Sequence, residues 1–355
     1  MRKFRFLLPL VAIMAGMASC NKDDVAKEVP VVTTGVYVLS EGLFNNNNTT
    51  LTYYDLGTGT AVTDYYANVN GAGLGDTGND LLLYGGKMYI VMNASSNVRV
   101  MDAVTAKSIK EIKFETPGGA KRLPRYVVAY KNKILVSAWD NSVAVIDTAT
   151  LEIEKNIAVG ANPEQMVVSG DKLFVTNSGG ITPGHDSTIS VVDLNTLTEL
   201  RKITVGLNPN CITADSANNV YVGCTGDYAA VGPKLVKVNT LTNTVVKSAD
   251  TAVGKIRYFD GKLYATGGYL GSAYIRALNT ADFSAMGANF VTDGTQITMA
   301  YGLNVDDTSG DIWVTDAKDY VSSGEVFCFD KGGKKKFSFK VTPGLNPNTV
   351  AFIRK

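Results

Sequence analysis

The side chains best suited to hold a ligand fall at one recurring place in the chain. Asn79, Arg125, Glu164, Asn210, Lys255, Tyr301 and Asn348 each open a short apolar segment, and Asp80, Tyr126 and Gln165 follow directly. A second group lies in longer, variable turns: Phe44 with Asn45 to Asn48, Asn93, Trp139 with Asp140 and Asn141, Asn177 with His185 and Asp186, Tyr228, Tyr269, Tyr274, and Asp316 with Tyr320. Aromatic faces beside amides and carboxylates suit a large, flat, amide-bearing ligand, because rings supply area while Asn, Gln and Asp pair with its polar edge. Sugars fit the same description, and composition alone does not separate the two.

No catalytic set with convergent spacing accompanies these residues. The sequence has no G-x-S-x-G elbow, H-E-x-x-H or P-loop. Gly71-Ala72-Gly73-Leu74-Gly75 does not follow a strand and open a helix, so it reads as a crossing loop and not a phosphate cradle. His185 is the single histidine, and with Pro183-Gly184 before it an exposed loop residue is the better reading than a metal ligand. Asn79, Glu164, Asn210 and Asn348 imitate a calcium set, yet Arg125 and Lys255 at equivalent positions put positive charge where a cation would sit. The expectation is binding without catalysis, no metal and no catalytic cofactor. Asn162, Asn208 and Asn346, each before proline, are expected to initiate turns.

The elements that position these residues come from a repeat. The strand-like segments Lys87 to Asn93, Lys133 to Trp139, Lys172 to Asn177 and Lys262 to Gly267 share one pattern, and a later strand in each unit closes on Asp55, Asp102, Asp147, Asp193, Asn239, Asn279 or Asp330. The intervals are 47, 45, 46, 46, 40 and 51 residues, each unit holding four short strands, the period of a propeller blade. Thirty-five glycines suit the many turns this requires. The predicted fold is an all-β, seven-bladed propeller spanning 35–355. The tail from Asn346 to Ile353 repeats the opening of blade four, Asn162 to Val168, and is predicted to supply the innermost strand of blade one, beside Val36 to Leu39, Thr50 to Asp55 and Ala61 to Tyr66.

Arg2, Lys3 and Arg5 precede an apolar run from Phe6 to Met17 and then Met17-Ala18-Ser19-Cys20. This reads as a secretory signal over 1–19, with Cys20 placed as the lipidated residue of a bacterial lipobox and 20–34 as a tether. Asn21-Lys22-Asp23-Asp24 resembles a surface-export tag of Bacteroidota lipoproteins, so the expected location is the outer membrane, facing outward. Formal charge is +1, with no electrostatic footprint for nucleic acid. Cys211 and Cys224 fall opposite each other about a turn centred between Ala217 and Asn218. They either close a cross-strand disulfide or remain two buried thiols. Cys328 has no partner and is expected in the core.

The motif V-G-x-N-P at Val159 to Pro163 and Val205 to Pro209, with the variant Pro343 to Pro347, resembles the crossings of YVTN or YncE-like seven-bladed propellers over nearly the whole mature chain. Gly75 to Leu81, Pro124 to Val128 and Val175 to Gly180, on a lipoprotein, look like the BtuG-type surface propellers of Bacteroidota. That resemblance implies a cobalamin or corrinoid ligand and a BtuB-like, TonB-dependent outer-membrane transporter as partner. An interaction module of an uptake complex and a glycan-binding lipoprotein stay open beside it.

Overall fold

The Asp or Asn that ends each third strand is a turn device. Its side-chain oxygen accepts backbone N–H groups two or three residues on, which closes the hairpin to the outer strand. Asp102 takes Thr105 N at 2.8 Å, Asp147 takes Thr150 N at 3.0 Å, Asp193 takes Thr196 N at 2.9 Å and Asn239 takes Thr242 N at 2.9 Å. Asp55, Asn279 and Asp330 do the same with Thr58, Ala281 and Gly332. The seven turns define seven antiparallel sheets, six of them four-stranded. The computed structural model describes residues 30–180, 184–268 and 272–355. The signal segment, Cys20, most of the 20–34 tether and Tyr269 lie outside the described residues.

Apolar side chains go where blades meet. Seven buried clusters each lie between consecutive sheets, from Tyr37, Leu39 and Ile90 between blades one and two to Val38, Trp313 and Val350 between blades seven and one. The middle strands are covered on both faces, so Ser142–Asp147 and Asn219–Cys224 are buried at every residue. The outer strand Ser108–Lys113 buries only Ile112 and carries Lys and Glu, which discourages edge-to-edge pairing. The ring closes as the repeat predicts. Pro347–Arg354 pairs antiparallel with Thr33–Ser40, and Asn348 donates its Nδ2 to Gly78 O at 2.9 Å and Asn79 O at 3.1 Å in blade two.

Two blades depart from the repeat. In blade one the outer strand is only Thr60–Val62, and the predicted strand to Tyr66 is replaced by a helix over Tyr65–Asn70. The helix buries Tyr66 between blades one and two and lays Tyr65 against Tyr53, ring centroids 5.4 Å apart. Blade six has three strands, Lys255–Phe259, Lys262–Gly267 and Tyr274–Asn279. An irregular segment covers its outer edge, with Met286 N donating to Ala277 O and Phe290 N to Ile275 O. Buried Phe283 and Phe290 anchor that segment at the two neighbouring blade interfaces.

The cysteine register differs from the sequence expectation. Cys211 lies opposite Gly223, and Cys224 opposite Pro209, because Asn210 bulges out of the ladder. Cys211 packs between blades five and six and Cys224 between blades four and five, on opposite faces of one sheet. Both are free thiols, as is Cys328. Burial pushes their pKa values up, to about 11 for Cys211 and about 12 for Cys224 and Cys328.

Candidate functional site

The ring of residues read from the repeat is made by β-bulges. On the innermost strands of blades two, five, seven and one, Asn79, Asn210, Tyr301 and Asn348 are each skipped by the pairing ladder. In blades three and four the skipped pairs are Arg125-Tyr126 and Glu164-Gln165. A bulge takes a side chain out of the strand's alternation and re-aims it. Here it turns residues one or two positions into six innermost strands toward the channel mouth. Lys255 reaches the same mouth from blade six through unbroken pairing.

Glu164 organises one wall. Its Oε2 accepts from Arg125 Nε and Nη2, both at 3.0 Å, and its Oε1 accepts from Trp139 Nε1 at 3.0 Å. The guanidinium carbon of Arg125 lies 4.6 Å from the Trp139 ring centroid and 5.7 Å from that of Tyr126, so the cation lies over both rings. Lys255 Nζ donates to Tyr126 Oη at 3.3 Å. Burial pulls the Lys255 pKa down, yet with Tyr126 and Cys211 beside it the net shift is upward. On the far side Tyr301 donates to Glu41 Oε2 at 2.5 Å and stands edge-on to Tyr320. Burial and Glu41 push the Tyr301 phenol well above its ordinary range.

These groups enclose connected spaces. An open concavity of about 420 Å³ is lined by Arg125, Tyr126, Trp139, Glu164, Asn208, Asn210, Tyr228 and Lys255. It leads into a throat of about 120 Å³ bounded by Glu41, Asn79, Asp80, Arg125, Tyr126, Gln165, Lys255, Arg257, Tyr301 and Asn348. Beside the concavity, across Tyr228, lies an apolar cleft of about 380 Å³ floored by Val231, Pro233 and Val253. Tyr228 is 78% exposed and sits at φ +60°, a left-handed conformation that costs a residue with a Cβ. Asp227 fixes that loop by accepting Ala229 N at 2.9 Å and Val231 N at 2.8 Å.

Several predicted site residues carry structural hydrogen bonds. Asn177 is fully buried, its Oδ1 accepting Gly160 N at 3.1 Å and its Nδ2 bonding Thr188 and Ser190. Asp316 is committed to Thr298 N, Met299 N and Lys318 N. Asp140 pairs with Arg122 and accepts Ser142 Oγ at 2.6 Å, outside the concavity. Asp80 and Gln165 border the throat but also link blades, Asp80 accepting Val127 N and Gln165 accepting Ile212 N. Burial raises the Asp80 pKa, against the pull of its backbone donors and of Arg257 and Lys255. Glu41 and Arg257 belong to the throat and were not expected. Both had a signal: Glu41 follows its strand as Trp139 does, and Arg257 shares the strand face of Lys255 two residues before it. His185 bonds Gly180 O through Nδ1 at 2.8 Å. No cluster of three or more His, Cys, Asp or Glu fit to hold a metal occurs among the described residues.

Residues 34–336 match the family described as a domain of unknown function, DUF5074. The chain belongs to that family. No curated protein matches its sequence. The DUF5074 propeller is similar to solved structures at low identity. A quinoprotein alcohol dehydrogenase-like protein from Bacteroides thetaiotaomicron is 17% identical, with a TM-score of 0.68 over 90% of this chain and 78% of that one. A protein described as a 6-phosphogluconolactonase from Bacteroides uniformis is 15% identical, with a TM-score of 0.64 over 90% of this chain and 100% of that one. At such identities the likeness speaks to fold alone. The family match stops at 336, short of the strand Pro347–Arg354 that closes the ring.

Proposed function

We propose that the chain is a binding propeller without catalysis, which captures a cobalamin-type corrinoid at the mouth formed by blades three to six and passes it to a TonB-dependent outer-membrane transporter. The observation that carries this is the concavity itself, where the faces of Trp139, Tyr126 and Tyr228 adjoin the amides of Asn208 and Asn210 and the cation of Lys255. A large flat ligand with peripheral amides finds ring contact, amide partners and an adjoining apolar cleft on one preformed surface, which lowers the ordering cost of binding.

The carboxylates at the mouth are spoken for, which favours binding over acid–base chemistry. Glu164 serves Arg125 and Trp139, Glu41 serves Tyr301, and Asp80 serves Val127 and Leu81. Thr33, where the first strand begins, is at the end of that strand away from the mouth. The test is gel filtration of the soluble chain starting after Asp24 with cyanocobalamin. Co-elution of the red chromophore is expected, and its absence at micromolar protein overturns the corrinoid assignment.

A further inference from the structure

Lys255 and Arg257 occupy alternate positions on Lys255–Phe259, so both project from one face of that strand, toward the throat. Among the described residues neither makes an ion pair, whereas the third throat cation, Arg125, is neutralised by Glu164. Lys255 Nζ donates to the Tyr126 hydroxyl at 3.3 Å, and Arg257 Nη1 donates to Ile256 O at 2.9 Å. Both are partly buried, and cations drawn partly out of water without a direct counterion gain from a partner that completes their hydrogen bonds.

The carboxylates facing the same space do not provide that partner. Glu41 is held by Tyr301, and Asp80 turns its oxygens to Val127 N at 3.0 Å and Leu81 N at 2.9 Å. Burial also raises the Asp80 pKa, which weakens it as a counter-charge.

We propose that the throat between Lys255 and Arg257 is a binding subsite for a single anionic group, a carboxylate or a phosphate, carried by the ligand that occupies the outer concavity. A guanidinium fork beside a point-charge ammonium is the pairing that recognises such oxyanions. The throat, at about 120 Å³, is sized for one such group; past Arg257 it adjoins a channel of about 410 Å³ lined by Val127, Val167 and Phe352, while the concavity of about 420 Å³ takes the rest of the molecule. The two spaces share Arg125, Tyr126 and Lys255 as a common wall. This rests on the reading of the mouth as a ligand site and is independent of the corrinoid assignment.

The experiment is a calorimetric and thermal-melt titration of the soluble chain with inorganic phosphate and, separately, with acetate, against chloride at the same ionic strength. Saturable binding of one of the two anions is expected, and which one binds distinguishes phosphate from carboxylate. Lys255→Met and Arg257→Gln should each weaken it by about tenfold or more, the worth of one charge-assisted hydrogen bond. If one cation variant does not fold, the other decides. Neither anion binding above the chloride control, or unchanged affinity in both cation variants, overturns the proposal. Anion binding lost in those variants, with no cyanocobalamin binding in the parent chain, supports the subsite and removes the corrinoid.

Discussion

Trp139 and Glu164 join blades three and four through an indole N–H donated to a carboxylate oxygen at 3.0 Å. The other oxygen of Glu164 takes the Arg125 fork, so a single side chain orients both the aromatic wall and the cation stacked on it. Glu164→Gln removes the charge that neutralises Arg125, and the pair is largely buried, with 17% and 9% side-chain exposure. We expect a loss of roughly 2–3 kcal/mol in urea unfolding with an unchanged slope, less than for a fully buried pair. A shift below about 0.5 kcal/mol would mean that solvent already screens this ion pair.

Ring closure rests on a strand outside the family match. Ending the chain at Leu345 removes Pro347–Arg354, exposes Val36, Val38 and Trp313 and leaves the inner edge of Thr33–Ser40 unpaired. Loss of the cooperative thermal transition and a larger hydrodynamic radius are expected. Asn348→Ala is the milder probe. It deletes the two bonds to Gly78 and Asn79 and should cost about 1–2 kcal/mol.

The blade count, the closing strand and the positions of the mouth residues were legible because each depends on local pattern. Turn-forming Asp or Asn recurs at a fixed interval, and the residue opening each innermost strand recurs with it. The sheet's own irregularities were not legible. A bulge at Asn210 changes which residue faces Cys211, and no spacing rule reports a bulge in advance. Asn177 and Asp316 look like ligand residues in sequence, since an amide that caps a buried turn and an amide that meets a ligand have the same letter. Only the partners tell them apart, Gly160 for one and Met299 for the other. The helix over Tyr65–Asn70 escaped for a related reason: six residues are too few to show a helical period.

Acid should loosen the blade corners. Backbone donors from Thr150 and Ala149, then Lys133, hold the Asp147 pKa down at about 2, and the donors of Asp102 and Asp193 lower theirs as well. A carboxylate whose pKa is lowered by folding contributes stability above its unfolded value of about 3.9, and that contribution is lost as pH falls through the folded value. The melting temperature should therefore drop between about pH 4 and pH 2. Asp147→Asn should keep the turn, because blade five already uses Asn239 with the same two kinds of donor. It should also shrink that acid-dependent drop. A pH profile identical to the parent would show that Asp147 does not contribute to it.

The thiols give a direct check on the register of blade five. Cys211, Cys224 and Cys328 are buried and their pKa values are pushed up by desolvation, so little thiolate exists at neutral pH. The soluble chain starting after Asp24 should show no fast reaction with an aromatic disulfide reagent when folded, and all three cysteines should react in denaturant without prior reduction. Finding only one reactive thiol in denaturant, with Cys328→Ser then leaving none, would establish a Cys211–Cys224 bond and a register different from the one seen.

Tyr228 separates binding from folding more sharply than any other residue at the mouth. It is exposed, it holds a left-handed backbone angle, and it borders both the concavity and the apolar cleft. Tyr228→Gly relieves the strain at φ +60° but adds freedom to the unfolded chain, so stability should stay within about 1 kcal/mol of the parent. Ligand affinity should nonetheless fall by about tenfold, since one aromatic contact is lost. Trp139 provides the readout. The sequence has two tryptophans, and Trp313 is shielded between blades seven and one, so quenching on titration reports Trp139 at the mouth. Cyanocobalamin should quench this signal saturably in the parent, with the midpoint shifted in Tyr228→Gly and the quenching lost in Trp139→Phe. Equal midpoints in parent and Tyr228→Gly would move the ligand off blade five.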